Sequence, residues 1–320
     1  LSRNGEVIET EGESSQVTVN AAMGFITECA DRQRPFLAVV WFGSPHLPHI
    51  AAKEDRAHYE DLPKELQHYY GEITGIDRAM GTLRRELREL GIAENTLLWY
   101  TSDNGATRPV PETSNGGLRG KKGTVWEGGL RVPAIVEWPA KISSPRTTDI
   151  PCGSVDIYPT LLELAGVSVE HQPRPLDGAS LVSLFDGAMT RRDKPLGFWD
   201  FPAPGRPVRS TDLLKALRRR QHAGDANAPP PDADAAAITQ TYSEDELPGH
   251  SAWIDGDWKL HRIPARPGEA RYLLFNLVDD PQETQDLAAE QPERVARMKS
   301  QLEAWQASVV RSLNGADYRE

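Results

Sequence analysis

This sequence contains little cysteine, no long hydrophobic run and no excess of positive charge. Only two cysteines, Cys29 and Cys152, occur in 320 residues, which excludes a disulfide framework and a cysteine-ligated zinc site. No stretch approaches the roughly 18 consecutive apolar residues that a membrane-spanning helix requires. Lys and Arg number 36 against 47 Asp and Glu, and the net charge of −11 argues against a general nucleic-acid-binding surface. We therefore predict a globular protein that binds neither nucleic acid nor a membrane.

Apolar patterns in the first half of the chain predict an α/β fold. Continuous apolar runs predict buried strands at residues 35–43 and 96–101, and a third strand is predicted at 133–138. Apolar residues at alternating steps of three and four predict an amphipathic helix, and they are Ile73, Ile76, Met80, Leu83, Leu87 and Leu90. Further helices are predicted at about 15–31 and 154–165. Strands that alternate with helices favour a largely parallel sheet flanked by helices.

The character of the sequence changes near residue 185. Residues 201–250 are rich in Pro, Ala, Asp and Arg, with Ala-Pro-Pro-Pro-Asp at 228–232, and they predict an irregular insertion. Strand-like runs at 251–263 and 272–278 predict a smaller antiparallel sheet. A second helical stripe predicts a C-terminal helix, and its members are Val295, Met298, Leu302, Trp305 and Val309. The whole pattern predicts two domains, residues 1–190 and a smaller one at 191–320.

Polar residues follow two of the predicted strands at the point where each strand ends. His46 comes after the first strand, and Asp103 with Asn104 comes after the second. Ligands of open α/β sheets bind beyond the carboxyl ends of the strands. Asp and Asn offer only oxygen ligands, which suit a hard cation such as Ca²⁺ or Mg²⁺. The alternative is an ordinary turn, since Asp-Asn-Gly is favourable turn chemistry.

A basic, glycine-rich stretch follows at residues 116–131, and we refer to it as the glycine-rich loop. Its glycines would let the backbone approach a ligand, while two lysines and two arginines would supply donors for an anion. Its spacing is not that of a P-loop. The alternative is a flexible basic loop on the surface.

Taken together, these segments resemble the sulfatase family of the alkaline phosphatase superfamily. The resemblance is carried by His-x-Pro at 46–48, by Thr-Ser-Asp-Asn-Gly at 101–105, and by Leu-Arg-Gly-Lys-Lys-Gly-Thr-Val-Trp-Glu-Gly-Gly at 118–129. Residues 155–166, 176–180 and 274–287 are similar to later elements of the family. The resemblance implies an alkaline-phosphatase-like α/β fold with a smaller C-terminal antiparallel sheet and helix.

The family pattern also implies a role for each matching residue. Asp103 and Asn104 would be ligands of a Ca²⁺, Lys122 would bind the sulfate oxygens, and His46 would lie beside the ester oxygen. The reaction implied is hydrolysis of sulfate esters, carbohydrate or aryl sulfates, by a periplasmic or extracellular enzyme. These roles are chemically reasonable because a cation and a lysine neutralise charge on the sulfuryl group, and an imidazole can protonate a leaving alkoxide.

The family's nucleophile motif, Cys/Ser-x-Pro/Ala-x-Arg, is missing. Neither Cys29 nor Cys152 fits it, so the formylglycine that family members form from this cysteine would have to come from outside this sequence. The family's early Asp-Asp metal pair is missing too. We therefore expect the C-terminal portion of a sulfatase, inactive by itself. Lys259-x-His261 mimics a Lys-x-His of the family's substrate pocket, but its position favours a strand of the smaller sheet.

Other functions remain open at this point. A phosphodiesterase or phosphonate monoester hydrolase of the same superfamily would use the same lysine and metal, and a pseudoenzyme would bind sulfated ligands without turnover. The ligand is expected to be a sulfated small molecule or glycan. Trp199 and His250 are candidate substrate contacts, since an aromatic ring can stack on a sugar and an imidazole can hydrogen-bond it. The alternative is that Phe198, Trp199 and Phe201 pack the junction between the two domains.

Overall fold

The computed structural model describes residues 1–107, 112–169, 172, 175–202, 210–224, 240–266 and 268–318. By its contacts the chain divides into two compact units. Unit 1 comprises Leu1–Leu98, Glu137–Ala140 and Gly205–Ala235, and unit 2 comprises Trp99–Val136, Lys141–Pro204 and Ala236–Glu320. These units do not coincide with the domains predicted at 1–190 and 191–320, and that division stays a prediction.

The helices and strands of the described residues follow one another in chain order. They are β1 (Ser2–Arg3), β2 (Glu6–Val7), α1 (Ser14–Asp31), α2 (Lys53–Arg56), α3 (Lys64–Glu89), β3 (Leu98–Thr101), α4 (Glu127–Leu130), β4 (Ala134–Glu137), α5 (Ile157–Ala165), α6 (Val182–Phe185), β5 (Leu196–Trp199), α7 (Ser210–His222), β6 (Ser251–Asp255), β7 (Trp258–Pro264), β8 (Ala270–Asn276) and α8 (Pro292–Leu313). In this part of the chain no helix is both long enough and apolar enough to cross a membrane.

The core of unit 1 lies between α1 and α3. Glu13 starts α1 by accepting hydrogen bonds from the backbone N–H groups of Ser15 and Gln16, both at 2.9 Å. The stripe predicted for α3 is confirmed from residue 76 onward, where its members are buried or pack against the core, whereas Ile73 is 40% exposed. The buried core residues are Val19, Met23, Ile26, Ala79, Leu83 and Leu87. Gly91 follows the end of α3 with φ of 70°, where a glycine is favoured.

The buried strand predicted at residues 35–43 is wrong. The segment belongs to no strand, and its side chains alternate between the core and solvent. Phe36, Ala38 and Phe42 pack against the core of α1 and α3. Their neighbours point outward, and Trp41 is 85% exposed. An apolar run alone does not show whether both of its faces are covered, and here one face is not.

The other two strands predicted for the large sheet are confirmed within the predicted ranges. β3 and β4 pair in a two-stranded sheet. No residue of β3 is fully buried, so the burial predicted for this strand is wrong. The predicted helix at 154–165 is also present, as a 3₁₀ turn at Ser154–Asp156 that continues into α5. Gly166 ends α5 in the left-handed conformation.

The predicted C-terminal sheet and helix are confirmed in unit 2. The sheet has the strand order β5-β6-β7-β8, and every neighbouring pair is antiparallel. Helix α8 packs on one face of it through a core of Trp253, Leu260, Leu274, Met298 and Leu302. Gly197 of β5 lies so close to the helix that a Cβ atom there would be 2.5 Å from the ring of Trp305.

The segment predicted as an irregular insertion at 201–250 contains a helix, α7, so that prediction is wrong for residues 210–222. Asp212 lies in the first turn of α7, and basic residues occupy the last turn, which suits the helix dipole. The overall composition of the segment concealed this local pattern. Gln221 of α7 accepts a hydrogen bond from the backbone N–H of Val7 at 2.8 Å. The proline run at 228–232 lies outside the described residues.

Candidate functional site

The candidate metal ligands lie in the turn after β3, at residues 102–106. The hydroxyl of Ser102 donates to the carbonyl of Asn104 at 3.0 Å, and the amide nitrogen of Asn104 donates to the carbonyl of Gly105 at 3.1 Å. In this orientation the side-chain oxygen of Asn104 accepts no hydrogen bond from the described residues. The exposed carboxylate of Asp103 accepts none from them either. The turn therefore presents two adjacent oxygen ligands.

Two oxygen ligands suit Ca²⁺ in kind but not in number, because this ion takes about 6–8 oxygens. Within the described ranges, no group of three or more His, Cys, Asp and Glu side chains could hold a metal ion. Asp103 and Asn104 could thus contribute to a calcium site but could not form one unaided. Their assignment as metal ligands stays a prediction.

The glycine-rich loop packs directly against this turn. The backbone N–H of Lys122 donates to the carbonyl of Ala106 at 3.0 Å, and that of Gly105 donates to the carbonyl of Gly129 at 3.0 Å. Asn115 joins the two segments by accepting a hydrogen bond from the N–H of Ala106 at 2.9 Å. The structure therefore brings the half-buried Lys122 and the turn after β3 into one loop pair of unit 2.

Glycine at three positions of this loop pair is required by the approach of other backbone segments. A Cβ atom on Gly105 would lie 1.9 Å from the carbonyl oxygen of Gly128, and one on Gly129 would lie 2.2 Å from that of Thr124. A Cβ atom on Gly128 would lie 2.6 Å from the carbonyl oxygen of Gly120. At these three positions the missing side chain allows another backbone segment to approach. The approach of a ligand to the glycines of the loop, which the sequence predicts, stays a prediction.

A network of buried charged groups lies beside the loop, and we call Lys259, Glu127, Glu283 and His261 the buried charge network. The ammonium of Lys259 lies 2.7 Å from the Glu127 carboxylate and 3.0 Å from that of Glu283. Nε2 of His261 lies 2.6 Å from the same oxygen of Glu283. Lys259, His261 and Glu283 are each 0% exposed. Lys259 and His261 lie on β7, so the strand predicted for this Lys-x-His pair is confirmed.

The network extends to a tryptophan, an arginine and a second histidine. The ring of Trp126 stacks on that of His261, with 4.1 Å between the centroids, and the guanidinium of Arg119 lies 3.6 Å from the Trp126 ring centroid. Nε2 of His250 lies 2.9 Å from Nδ1 of His261. Sequence analysis missed this network, because its members lie far apart along the chain.

The protonation states in the network follow from burial and from these contacts. Burial lowers the pKa of His261 to about 4, against the opposing effect of the Glu283 carboxylate. Burial would raise the pKa of Glu283, but the hydrogen bond from His261 and the charge of Lys259 outweigh it and hold the pKa below its ordinary value. At neutral pH His261 is therefore neutral. It donates from Nε2 to the Glu283 carboxylate and accepts at Nδ1 from His250.

His46 lies in unit 1, in a loop that Glu72 holds from helix α3. The side chain of His46 is exposed, and its Nδ1 lies 2.8 Å from the carbonyl of Leu47. The backbone N–H of Ile50 donates to the Glu72 carboxylate at 2.6 Å, which anchors the end of the loop. Burial raises the pKa of Glu72. The predicted convergence of His46 with Lys122, which lies in unit 2, stays a prediction.

The two candidate substrate contacts differ in their surroundings. Trp199 donates from its indole nitrogen to the carbonyl of Pro248 at 2.6 Å, and its ring centroid lies 4.8 Å from that of Phe201 and 6.4 Å from that of Trp305. These are packing contacts within unit 2. His250, in contrast, joins the buried charge network beside the glycine-rich loop. The role of either residue in substrate binding stays a prediction.

Comparison with known proteins identifies the family of the chain. A sequence model described as Sulfatase matches residues 2–167, which is just over half of the chain. The chain belongs to the sulfatase family. Rat (Rattus norvegicus) steryl-sulfatase is 29% identical to it over 299 residues, covering 89% of this chain and 47% of the relative. This family assignment confirms the resemblance drawn from the motifs.

Solved structures confirm the fold. The crystal structure of Ps i-CgsB aligns with a TM-score of 0.70 at 22% identity, covering 95% of this chain and 57% of that protein, and it has also been solved with k-i-k-neocarrahexaose. A further match, with a TM-score of 0.51 at 20% identity, is a protein in complex with its substrate D-glucosamine-2-N,6-O-disulfate, and it covers 82% of this chain and 47% of that one. The sulfatase chain described here thus spans about half the length of the relatives it matches.

Proposed function

We propose that this chain carries the anion-binding lysine and part of the calcium site of a sulfatase that hydrolyses sulfate esters. The observation that carries the proposal is the backbone hydrogen bond from Lys122 to Ala106, because it holds the glycine-rich loop against the turn that bears Asp103 and Asn104. The Lys122 ammonium and a cation held by these two oxygens would together stabilise the negative charge on the sulfuryl group of a sulfate ester.

Each residue has a distinct part in the proposed chemistry. The Lys122 ammonium would bind the sulfate oxygens and offset the negative charge that they carry. Asp103 and Asn104 would supply two oxygen ligands to Ca²⁺, which when bound would add positive charge beside the sulfuryl group. His46 would pass a proton to the leaving alkoxide from Nε2, since its Nδ1 is engaged by the Leu47 carbonyl.

The proposal for the chain by itself is binding without turnover. No Cys/Ser-x-Pro/Ala-x-Arg motif occurs in its sequence, so nothing in it supplies the family's formylglycine nucleophile. With 4-nitrophenyl sulfate we therefore expect binding and no release of 4-nitrophenol. Hydrolysis that persists after purification to homogeneity would contradict this part of the proposal.

The proposed substrate class is a sulfated small molecule or glycan. Support comes from the relatives, one of which is a steryl-sulfatase, while matching structures hold neocarrahexaose and a glucosamine disulfate. A periplasmic or extracellular location is part of the same proposal and rests on family membership. Trp199 and His250 remain the candidates for contacting the organic part of the ester.

A binding experiment tests the anion site. Inorganic sulfate is titrated into the full chain by isothermal calorimetry, and we expect Lys122→Met to weaken sulfate binding at least tenfold, because the variant removes the ammonium and keeps the length of the side chain. Lys121→Met is the matched control, since it removes the neighbouring charge of the same loop. Equal losses in the two variants would show only a general effect of charge. A parallel titration with inorganic phosphate tests the phosphodiesterase or phosphonate hydrolase alternative, which predicts tighter binding of phosphate.

A further inference from the structure

Glu283 contacts the glycine-rich loop on both sides of Lys122. Its carbonyl oxygen accepts a hydrogen bond from the guanidinium of Arg119 at 2.9 Å. Its carboxylate accepts one from the backbone N–H of Glu127 at 2.7 Å. Lys122 lies between these two contacts in the chain, so one residue holds both ends of the segment that carries the candidate anion-binding lysine.

The buried charge network makes Glu283 the common acceptor for two further donors. Lys259 and His261 both approach the same carboxylate oxygen, at 3.0 Å and 2.6 Å. Removing charged groups from water destabilises a fold unless they are well paired, and apolar residues would often stabilise it equally well. The arrangement is therefore better explained by a requirement for one defined geometry than by stability alone.

The backbone of Glu283 supplies an independent indication. Its φ is +56°, a left-handed conformation that a residue with a side chain seldom adopts. Such a conformation is unfavourable and persists where the surroundings fix the residue. Here the fixing contacts are the hydrogen bonds of Arg119, Glu127 and His261.

We propose that Glu283 is a positioning residue for Lys122, and that it acts by fixing the glycine-rich loop at Arg119 and Glu127. Lys259 and His261 hold the Glu283 carboxylate in place from strand β7. The inference rests on the proposed role of Lys122 in anion binding. In the absence of the Glu283 carboxylate the loop would gain freedom, and the Lys122 ammonium would be held less well at the sulfate position.

The test compares Glu283→Gln with the wild-type chain by hydrogen exchange and by sulfate binding. Exchange is followed by mass spectrometry in peptides from residues 116–130, and sulfate affinity by calorimetry. We expect exchange in these peptides to be at least tenfold faster and sulfate affinity to be at least tenfold weaker in the variant. In a Lys122→Met background, Glu283→Gln should leave the residual sulfate affinity unchanged, because its effect passes through Lys122.

Glu303→Gln is the matched control, since Glu303 accepts a hydrogen bond from Tyr272 of β8 at 2.7 Å and, among the described residues, forms no hydrogen bond or ion pair with the loop. This variant should leave both measurements within twofold of the wild type. The proposal is overturned if Glu283→Gln also stays within twofold, or if the two variants change loop exchange and affinity equally.

A second variant, Arg119→Gln, and the wild-type sulfate titration complete the test. If Glu283→Gln does not fold, Arg119→Gln replaces it, because the Arg119 side chain is exposed and its loss releases one end of the loop. Faster exchange of the loop in this variant supports the proposal, and wild-type exchange overturns it. If the wild-type chain binds no sulfate, the proposed function fails, while the exchange comparison still decides whether Glu283 orders the loop.

Discussion

At the scale of single residues, Gly105 illustrates how closely the turn after β3 approaches the glycine-rich loop. Since a Cβ atom there would lie 1.9 Å from the carbonyl oxygen of Gly128, Gly105→Ala must push the two segments apart. We expect a loss of about 1–3 kcal/mol in the free energy of unfolding, as for other overpacked sites, together with weaker sulfate binding. Thermal unfolding and calorimetry provide the two measurements.

Gly81→Ala is the control for that substitution. Gly81 lies within α3, and a Cβ atom there would have nothing within 4 Å. Alanine is the better helix former by about 1 kcal/mol, so this variant should be more stable than the wild type. If Gly105→Ala were as stable as the wild type, the close approach of the two loops would be refuted.

The buried charge network shows which residue roles could be predicted from the sequence and which could not. Lys259 and His261 are two positions apart on a strand, so their side chains point to the same face, and the strand itself was predicted. Their partners Glu127 and Glu283 lie 132 and 22 residues from them. No local pattern connects such distant positions. The residues Asp103, Asn104 and Lys122 could be singled out because each belongs to a contiguous motif.

At the scale of secondary-structure elements, strand β7 is buried on both faces, and one face carries Lys259 and His261. The unfolded chain binds a proton at His261 near the ordinary pKa of 6.5, whereas the folded chain does so only at about 4. Acidification between these values therefore favours the unfolded chain, and stability that is complete above about pH 6.5 is lost as the pH falls towards 4. The loss attributable to His261 is about 3 kcal/mol, at 1.4 kcal/mol per pKa unit. As the pH falls below the ordinary pKa of 4.5, the stability that the lowered pKa of Glu283 contributes is lost as well.

Unfolding by urea at a series of pH values between 7.5 and 4.5 tests this dependence. His261→Asn should flatten the decline in stability, because the variant lacks the imidazole that takes up a proton on unfolding. His58→Asn, at an exposed histidine, should keep the wild-type slope. A wild-type slope in His261→Asn would assign the acid sensitivity to other groups.

The predicted helices and the mispredicted strand differ in what their patterns specify. The stripes of α3 and α8 identify one face of each helix, and that face is what packs. The apolar run at residues 35–43 specifies an extended chain but not what covers it. Its outward row, Leu37, Val39 and Trp41, is at least 64% exposed, so hydrophobicity alone did not predict burial. Helix α7 was missed for the opposite reason, because its sequence is polar.

At the scale of the whole molecule, the candidate calcium ligands found in the described part of the chain are too few for tight binding. Asp103 and Asn104 offer two of the roughly six to eight oxygens that Ca²⁺ takes. We expect calorimetry of the chain to show weak or no Ca²⁺ binding, and about 1 mM Ca²⁺ to leave the Tm unchanged, since a ligand far below its Kd adds no stability. Micromolar or tighter binding would mean that further ligands exist. Asp103→Asn, measured in parallel, would show whether any heat observed arises at this turn.

The contact between Arg119 and Glu283 also has a consequence for the order of events during synthesis. The two residues are 164 positions apart, so the loop that carries Lys122 leaves the ribosome long before the residue that fixes it. At 5–20 residues per second, this delay is on the order of 10–30 s. Until residue 259 has been made, Glu127 has neither Lys259 nor Glu283 as a partner and must remain hydrated. With the roles proposed for Lys122 and Glu283, the nascent anion site would stay unformed until the residues just after the last strand of the smaller sheet are made, and a ribosome that stalled before residue 283 would hold a chain unable to retain sulfate.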